Sequence, residues 1–322
     1  MRAVQIESHD GPEALILVEV PTPIINSTEV LVRNDFAGVN YIDVYQRSGM
    51  YPMSLPATLG LEGAGEIVAL GDSVTDLKIG DRVAWGWAKN SYAEYVAISQ
   101  DSAVIIPAGI STQVAGASMM QCTTAHYLAT SVFQAKSGDT ALVHAASGGV
   151  GLILCQMLSA KGVRVIGAVS NPEKEQLAKE AGASEIIRYD QVDFAAGVYD
   201  ITKGEKCEVV YDGVGASTFE GSLQCLKPRG TLALFGAASG PVPPFDLQRL
   251  GGLGSLVITR PTIAHFISSK EELLWRTSEI FEDITSRKLK IQIGGIYDLE
   301  DAHQAHKDLE SRATGGKLLL RI

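Results

Sequence analysis

The residues from Ala146 to Gly151, Ala-Ser-Gly-Gly-Val-Gly, have the types and the spacing to cradle a diphosphate. A backbone that turns sharply and lets an anion approach its amides cannot carry bulky side chains there, and glycine removes them. The turn follows an apolar run, Thr140 to Ala145, and opens a helical pattern with Leu152, Ile153, Met157 and Leu158 on its apolar positions. Strand, small-residue turn and helix in that order form an anion site at a helix N-terminus. The spacing is A-x-G-x-x-G, one residue short of the dinucleotide fingerprint, and a chain with 33 glycines will hold such spacings by chance. The neighbouring residues must decide.

If the turn holds a pyrophosphate, the end of the next strand meets the adenosine ribose about 20 residues on. An NAD site wants a carboxylate at that strand end, which accepts from both ribose hydroxyls and repels a 2′-phosphate. Here the strand ends Ala168-Val169-Ser170-Asn171, without an acid, and Lys174 and Arg188 supply cations. The expected cofactor is NADP(H). Two further apolar strands end in glycine turns, Asp212-Gly213-Val214-Gly215 and Phe235-Gly236-Ala237. In an open parallel sheet those carboxyl ends line the crevice that would take the nicotinamide half.

These residues need a particular frame. From Thr140 to Thr259 the pattern alternates strand and helix, with strands expected at Thr140 to Ala145, Val163 to Val169, Glu185 to Arg188, Glu208 to Asp212, Thr231 to Phe235 and Leu256 to Thr259. That alternation predicts an α/β fold, a Rossmann-type doubly wound parallel sheet. Asn171 as N-cap, Pro172 at the first helical position and Gly182 as stop mark the second helix. The first 125 or so residues read instead as strands and turns, an antiparallel β-rich unit. After Arg260 come a long helix from about Lys270 to Arg287, a strand near Gly294 to Tyr297, a helix from Leu299 to Glu310 and a last strand, Lys317 to Ile322. These elements are too few for a core of their own. They should pack on the N-terminal unit, giving a discontinuous β-rich catalytic domain, 1–123 and 264–322, around an NADP-binding domain, 124–263.

Composition bounds the rest. The chain has 322 residues, 46% of them hydrophobic, and a formal net charge of −10 with no run of Lys and Arg. Nucleic acid and anionic membrane are therefore excluded as partners. No stretch is long and apolar enough for a membrane span, and the N-terminus breaks its apolar residues with Glu7, His9, Asp10 and Glu13, unlike a signal peptide. Cys122, Cys155, Cys207 and Cys225 lack the spacing of a zinc ribbon or a disulfide framework, which points to the cytoplasm. Cys122 is expected to be an inert buried thiol and His144 a satisfied core residue, while His126 is open.

With these residues in place the sequence resembles the zinc-independent quinone oxidoreductases, the zeta-crystallin type, of the medium-chain dehydrogenase/reductase superfamily. The likeness runs the full length through GPEAL at Gly11, GVNYIDVYQRSGMYP at Gly38, LGLEGAGEI at Leu59, GDRV at Gly80, HAASGGVG at His144, VYDGVG at Val210, ITRP at Ile258 and ESRATGGK at Glu310. It implies a GroES-like fold for the β-rich domain. In the superfamily's zinc alcohol dehydrogenases a cysteine and a histidine hold the catalytic metal where this chain has Asn40 and Leu61, so no metal is expected. The resemblance places Asn40, Asp43, Tyr45 and Tyr51 around the reacting centre, with Tyr45 also touching the cofactor. It brings Thr124 to the nicotinamide, Ser147, Gly148, Gly149 and Val150 to the pyrophosphate, and Ser170, Lys174, Tyr189 and Arg312 to the 2′-phosphate. Many relatives carry a lysine-glycine pair where this chain has Gln121-Cys122.

The expected activity is reduction of a quinone by NADPH without a metal, the acceptor being held over the nicotinamide while its oxygen gains charge. Two rivals stand beside it: reduction of α,β-unsaturated aldehydes, ketones or enoyl thioesters, with a tyrosine such as Tyr51 as proton donor, and a non-catalytic, crystallin-like NADPH-binding protein. A homodimer is expected through the strand Leu256 to Thr259, whose edge a monomer would expose.

Overall fold

Strand and helix alternate after Thr140 as the hydrophobic pattern requires, and the resulting sheet is parallel throughout. Its order is Glu185–Arg188, Arg164–Val169, Thr140–His144, Cys207–Asp212, Leu226–Leu234, Val257–Thr259. Every residue of the central strand Thr140–His144 is buried, as expected for a strand covered on both faces. Strand order reverses direction at that strand, the switch point where open sheets of this kind bind ligands. The core around Leu142, Ile166, Val210 and Leu232 joins the sheet to the flanking helices. Asn171 caps the helix Pro172–Glu180, its Oδ1 accepting from the Lys174 N–H at 2.9 Å. The strand expected at Thr231 begins five residues earlier, at Leu226, with Arg229 at φ 66 absorbing the irregularity between them.

The computed structural model describes residues 1–311 and 314–322. They fall into two units, one of Met1–Thr123, Ile267–Arg287 and Ile291–Ile322, the other of Thr124–Phe266 and Lys288–Lys290. In the first, among the described residues, a seven-stranded sheet runs Ile293–Asp298, Lys317–Arg321, Glu29–Val39, Gly63–Leu70, Arg82–Trp85, Val104–Ile105, with Tyr95–Ser99 also on Glu29–Val39. A smaller sheet orders Ile16–Glu19, Arg2–Ile6, Ala57–Thr58.

Two features of this unit build the site. The last strand pairs antiparallel with Glu29–Val39 in the register Leu318 to Val39, which brings Lys317 beside Asn40. A helix, Tyr41–Arg47, follows directly where the sequence suggested strands and turns alone. Its signal is short, seven residues, and its start depends on Asp43, whose carboxylate Oδ2 accepts from the Asn40 N–H at 2.8 Å. An acid at the third helical position reaching back to the N-cap amide satisfies a group that would otherwise be orphaned.

Candidate cofactor and active site

The phosphate turn takes the conformation its composition calls for. Ala146 and Ser147 are buried, and Gly148 caps the helix Gly149–Ala160. A Cβ on Gly151 would lie 2.3 Å from the Ala145 carbonyl oxygen, a distance no side chain tolerates against backbone. Only glycine lets the helix start this close to the strand. The first-turn amides at Gly149, Val150 and Gly151 have no acceptor within the helix, and the helix dipole adds positive potential there. Half-buried Gly148, Gly149 and Val150 leave the cradle open to an anion.

At the ribose end, half-buried Ser170 follows the strand Arg164–Val169 and accepts from the Lys174 ammonium at 3.2 Å. Tyr189, 47% exposed, is held next to that strand end by its N–H bond to the Val169 carbonyl at 3.1 Å. Ser170, Lys174 and the Tyr189 backbone therefore share one corner, which has a cation and a hydroxyl and no carboxylate at the strand end. That donor set fits a phosphomonoester. Arg188 ends the neighbouring strand, and its guanidinium forks onto Asp190 at 3.0 and 2.7 Å. Arg312, the other expected phosphate ligand, lies outside the described residues.

The two glycine turns expected to line the nicotinamide half are packed against each other. A Cβ on Gly236 would meet the Gly213 carbonyl oxygen at 2.3 Å, and one on Gly213 would meet the Phe235 ring at 2.8 Å. Asp212 shapes the first turn by accepting from the Val214 and Gly215 amides at 2.8 and 3.1 Å. Val214, Phe235 and Ala237 are half-buried at this rim. His144, at the neighbouring strand end, is buried 2.9 Å from the Ser222 hydroxyl, and burial lowers its pKa. Thr124 is half-buried on the helix Met119–Tyr127, and His126 is buried on the same helix.

In the other unit, the place where the resemblance removes two zinc ligands holds a buried ion pair. Lys317 and Glu62, 1% and 0% exposed, are directly paired, and both hold Asn40. Lys317 Nζ donates to Asn40 Oδ1 at 2.7 Å, and Asn40 Nδ2 donates to Glu62 Oε2 at 2.9 Å and to the Gly38 carbonyl at 3.3 Å. An ammonium has only donors, so Asn40 must turn its oxygen to Lys317. Both amide hydrogens of Asn40 are thereby engaged within the protein. Glu62 Oε1 accepts from the Met120 N–H at 2.7 Å, which completes its coordination. Among the described residues, no three His, Cys, Asp or Glu side chains gather to hold a metal.

Asp43 lies beneath this pair, fully buried. Its Oδ2 accepts from the Asn40 N–H and, at 2.9 Å, from the Tyr92 hydroxyl, while its Oδ1 has no partner among the described residues. Burial pushes its pKa up to about 7 against the pull of those two donors. Tyr45 is buried on the helix, its ring edge-on to Tyr51 at 5.4 Å, and Tyr51 is 41% exposed. Asn40, Asp43, Tyr45 and Tyr51 thus lie together around one short helix. Cys122 is fully buried and its thiol is pushed well up by desolvation and by Glu62, so it is unreactive.

The Alcohol dehydrogenase GroES-like domain family matches residues 26–135, and the Zinc-binding dehydrogenase family matches residues 149–278. A quinone oxidoreductase from Pseudomonas aeruginosa is 42% identical over 321 residues, 99% of each chain. The chain belongs to the quinone oxidoreductase family. Among solved structures, the Escherichia coli quinone oxidoreductase complexed with NADPH is 40% identical over the whole of both chains, with a TM-score of 0.98. A mycobacterial protein complexed with NADPH is 44% identical, also over both whole chains, at a TM-score of 0.97. The fold expected from the sequence, an α/β Rossmann-type sheet with a GroES-like β-rich part, is the fold of this family member.

Sequence reasoning missed Glu62 and Lys317. Glu62 sits inside the quoted LGLEGAGEI motif and Lys317 ends ESRATGGK, so both were in view. A signal existed: an acid flanked by Leu61, Gly63, Ala64 and Gly65, and a lysine followed by three leucines, are charges in apolar settings. Such charges are paired when buried.

Proposed function

We propose that this chain is an NADPH-dependent quinone reductase that works without a metal, its β-rich unit holding the acceptor and its parallel-sheet unit holding the cofactor. The observation that carries the reading is the corner made by Ser170 and Lys174 beside the Gly151 turn: an anion cradle followed by a ribose position with a cation and no acid. The family's named activity and the NADPH complexes of its near relatives support it. NADPH supplies a hydride when bound.

The chain's own residues do the rest. Ser147, Gly148, Gly149 and Val150 bind the diphosphate; Ser170, Lys174, Tyr189 and Arg312 bind the 2′-phosphate; Gly213, Val214, Phe235, Gly236 and Ala237 form the wall of the nicotinamide half, with Thr124 approaching it. Tyr45 and Tyr51 present two rings edge-on at 5.4 Å, an aromatic pair that suits a flat quinone ring. Asn40, engaged by Glu62 and Lys317, braces the start of the helix that carries Tyr45. The second reading, reduction of an α,β-unsaturated carbonyl, uses the same residues and differs in its acceptor. We also assign the chain to the cytoplasm, as a homodimer joined through Val257–Thr259, the outer strand of the parallel sheet, where Val257 is 51% exposed. No helix among the described residues is long and apolar enough to cross a membrane.

Stopped-flow oxidation of NADPH by 1,4-benzoquinone and 9,10-phenanthrenequinone tests the assignment, with crotonaldehyde on the same preparation as comparator. Turnover of either quinone supports it. Turnover of crotonaldehyde alone moves the chain to the second reading, and tight NADPH binding without turnover of any acceptor makes it a binding protein.

A further inference from the structure

Five side chains far apart in sequence form one line through the interior of the β-rich unit. Glu310 accepts from Arg47 Nη1 and Nη2, both at 2.9 Å; Arg47 Nη1 lies 3.1 Å from His306 Nδ1; His306 Nε2 lies 3.1 Å from the Tyr92 hydroxyl; and Tyr92 lies 2.9 Å from Asp43 Oδ2. Arg47, Tyr92, His306 and Asp43 are all buried. Nothing in the reaction scheme above uses Arg47, Tyr92 or His306.

The direction of every hydrogen in this line follows from its first member. A guanidinium can only donate, so His306 Nδ1 must accept, and the neutral imidazole carries its proton on Nε2. Burial and the neighbouring Arg47 charge push the His306 pKa down to about 3, so the ring stays neutral. His306 Nε2–H then donates to the Tyr92 oxygen, and the single Tyr92 hydrogen goes to Asp43 Oδ2. That oxygen also holds the Asn40 amide, whereas Oδ1, buried, has no partner among the described residues. A bare carboxylate oxygen away from water is costly, and a proton on it removes the charge.

Resting on the quinone reductase reading, we propose that Tyr92 and His306 are positioning residues for the reduction: with Arg47 they form a one-way hydrogen-bond chain that saturates Asp43 Oδ2 and sets how firmly Oδ1 keeps its proton. The reduction then needs Asp43 as a neutral acid. The acceptor gains negative charge beside the Asn40–Tyr51 segment, and a second anion beneath it opposes that gain. The groups facing Asp43 are Tyr92, the mutually neutralising Lys317 and Glu62, and through Tyr92 the neutral His306, with Arg47 one helical turn along. Asp43 is therefore the group whose charge is free to change. Two donors on Oδ2 favour its anion, and burial opposes them. Turnover should fall as pH rises through about 7, the titration of Asp43.

Tyr92→Phe removes one donor from the anion, so the Asp43 titration should move up by about one to two pH units. His306→Leu should move it up by less, and His306→Gln, which can still accept and donate, should return it toward wild type. Difference infrared spectroscopy of the full chain reads the protonated carboxyl directly, with Asp43→Asn assigning the band. The expected result is a carboxylic acid band that disappears as pH rises through about 7 in wild type and at higher pH in Tyr92→Phe. The high-pH limb of kcat with 1,4-benzoquinone should shift alongside it, while the Kd for NADPH stays constant. No such band at pH 5, or a titration unmoved in both Tyr92→Phe and His306→Leu, overturns the chain. A band that moves while the kcat limb stays in place overturns its part in the reduction. Failure to turn over any quinone overturns the functional reading, and with it this role, but leaves the infrared result to judge the chain.

Discussion

Replacing Lys174 with alanine should separate the two nicotinamide cofactors. Lys174 is half-buried in the first turn of the helix Pro172–Glu180, with its ammonium 3.2 Å from the Ser170 hydroxyl, and Arg188 is paired with Asp190. A charge-assisted hydrogen bond contributes about 1.5 to 3 kcal/mol. Because Lys174 is partly solvated, the lower part of that range applies, about 1.5 to 2 kcal/mol, or roughly 10- to 30-fold in Kd. NADH lacks the phosphate and should lose less than about 2-fold, since the diphosphate cradle is untouched. Quenching of intrinsic fluorescence by each cofactor at 50 mM and 300 mM salt gives the four Kd values. The NADPH loss should shrink at the higher salt, where charges farther apart than a few Å are screened. Arg188→Ala serves as control and should cost NADPH much less than Lys174→Ala does. Equal losses for NADPH and NADH in Lys174→Ala would refute the cofactor assignment.

Other variants test the remaining parts. Gly151→Ala places a methyl 2.3 Å from the Ala145 oxygen and should cost about 1 to 3 kcal/mol of stability, together with NADPH affinity, measured by thermal melting and fluorescence titration. Lys317→Met leaves Glu62 as a lone buried charge and should destabilise by about 3 to 5 kcal/mol; adding Glu62→Gln should recover much of that in a denaturant titration. Val257→Lys on the exposed outer strand should yield particles of about 34 kDa in sedimentation where the unaltered chain gives twice that, and a monomer in both would dismiss the dimer. Asp43 holds its proton in the folded state at pH values where an unfolded aspartate has lost it. Its contribution to stability is thus full below about pH 4 and lost as pH rises through about 7, and the advantage of Asp43→Asn over wild type in melting temperature should widen across that window.

The parts of the fold that were legible in the sequence are those with long, regular periods. The strands after Thr140 fall within a residue of where their apolar patterns end, apart from Leu226–Leu234, whose first half is broken up by Pro228 and Gly230, and the last helix begins at Ala302, after a 3-10 turn at Leu299–Asp301. The helix Tyr41–Arg47 escaped notice because seven residues make only two turns, and its stability comes from Asp43 and from packing around it. Arg188 ends the strand Glu185–Arg188, and the structure pairs it with Asp190, two residues away. Local charge pairing of that kind depends on side-chain reach, which a spacing rule does not contain.

The sequence by itself determined what the phosphate turn can do, because glycine is required by backbone geometry and its spacing is local. It also determined that Asn40 and Leu61 offer no soft or imidazole ligand, since that is a matter of atom types. Only the tertiary structure decided what stands there instead. Lys317 reaches Asn40 across 277 residues, and His306 reaches Tyr92 across 214. The antiparallel pairing of the last strand with Glu29–Val39 buries one ammonium against one carboxylate, and burial turns Asp43 from an ordinary surface acid into one that titrates near neutrality. Desolvation is a property of the packed interior, and no local run of residues encodes it.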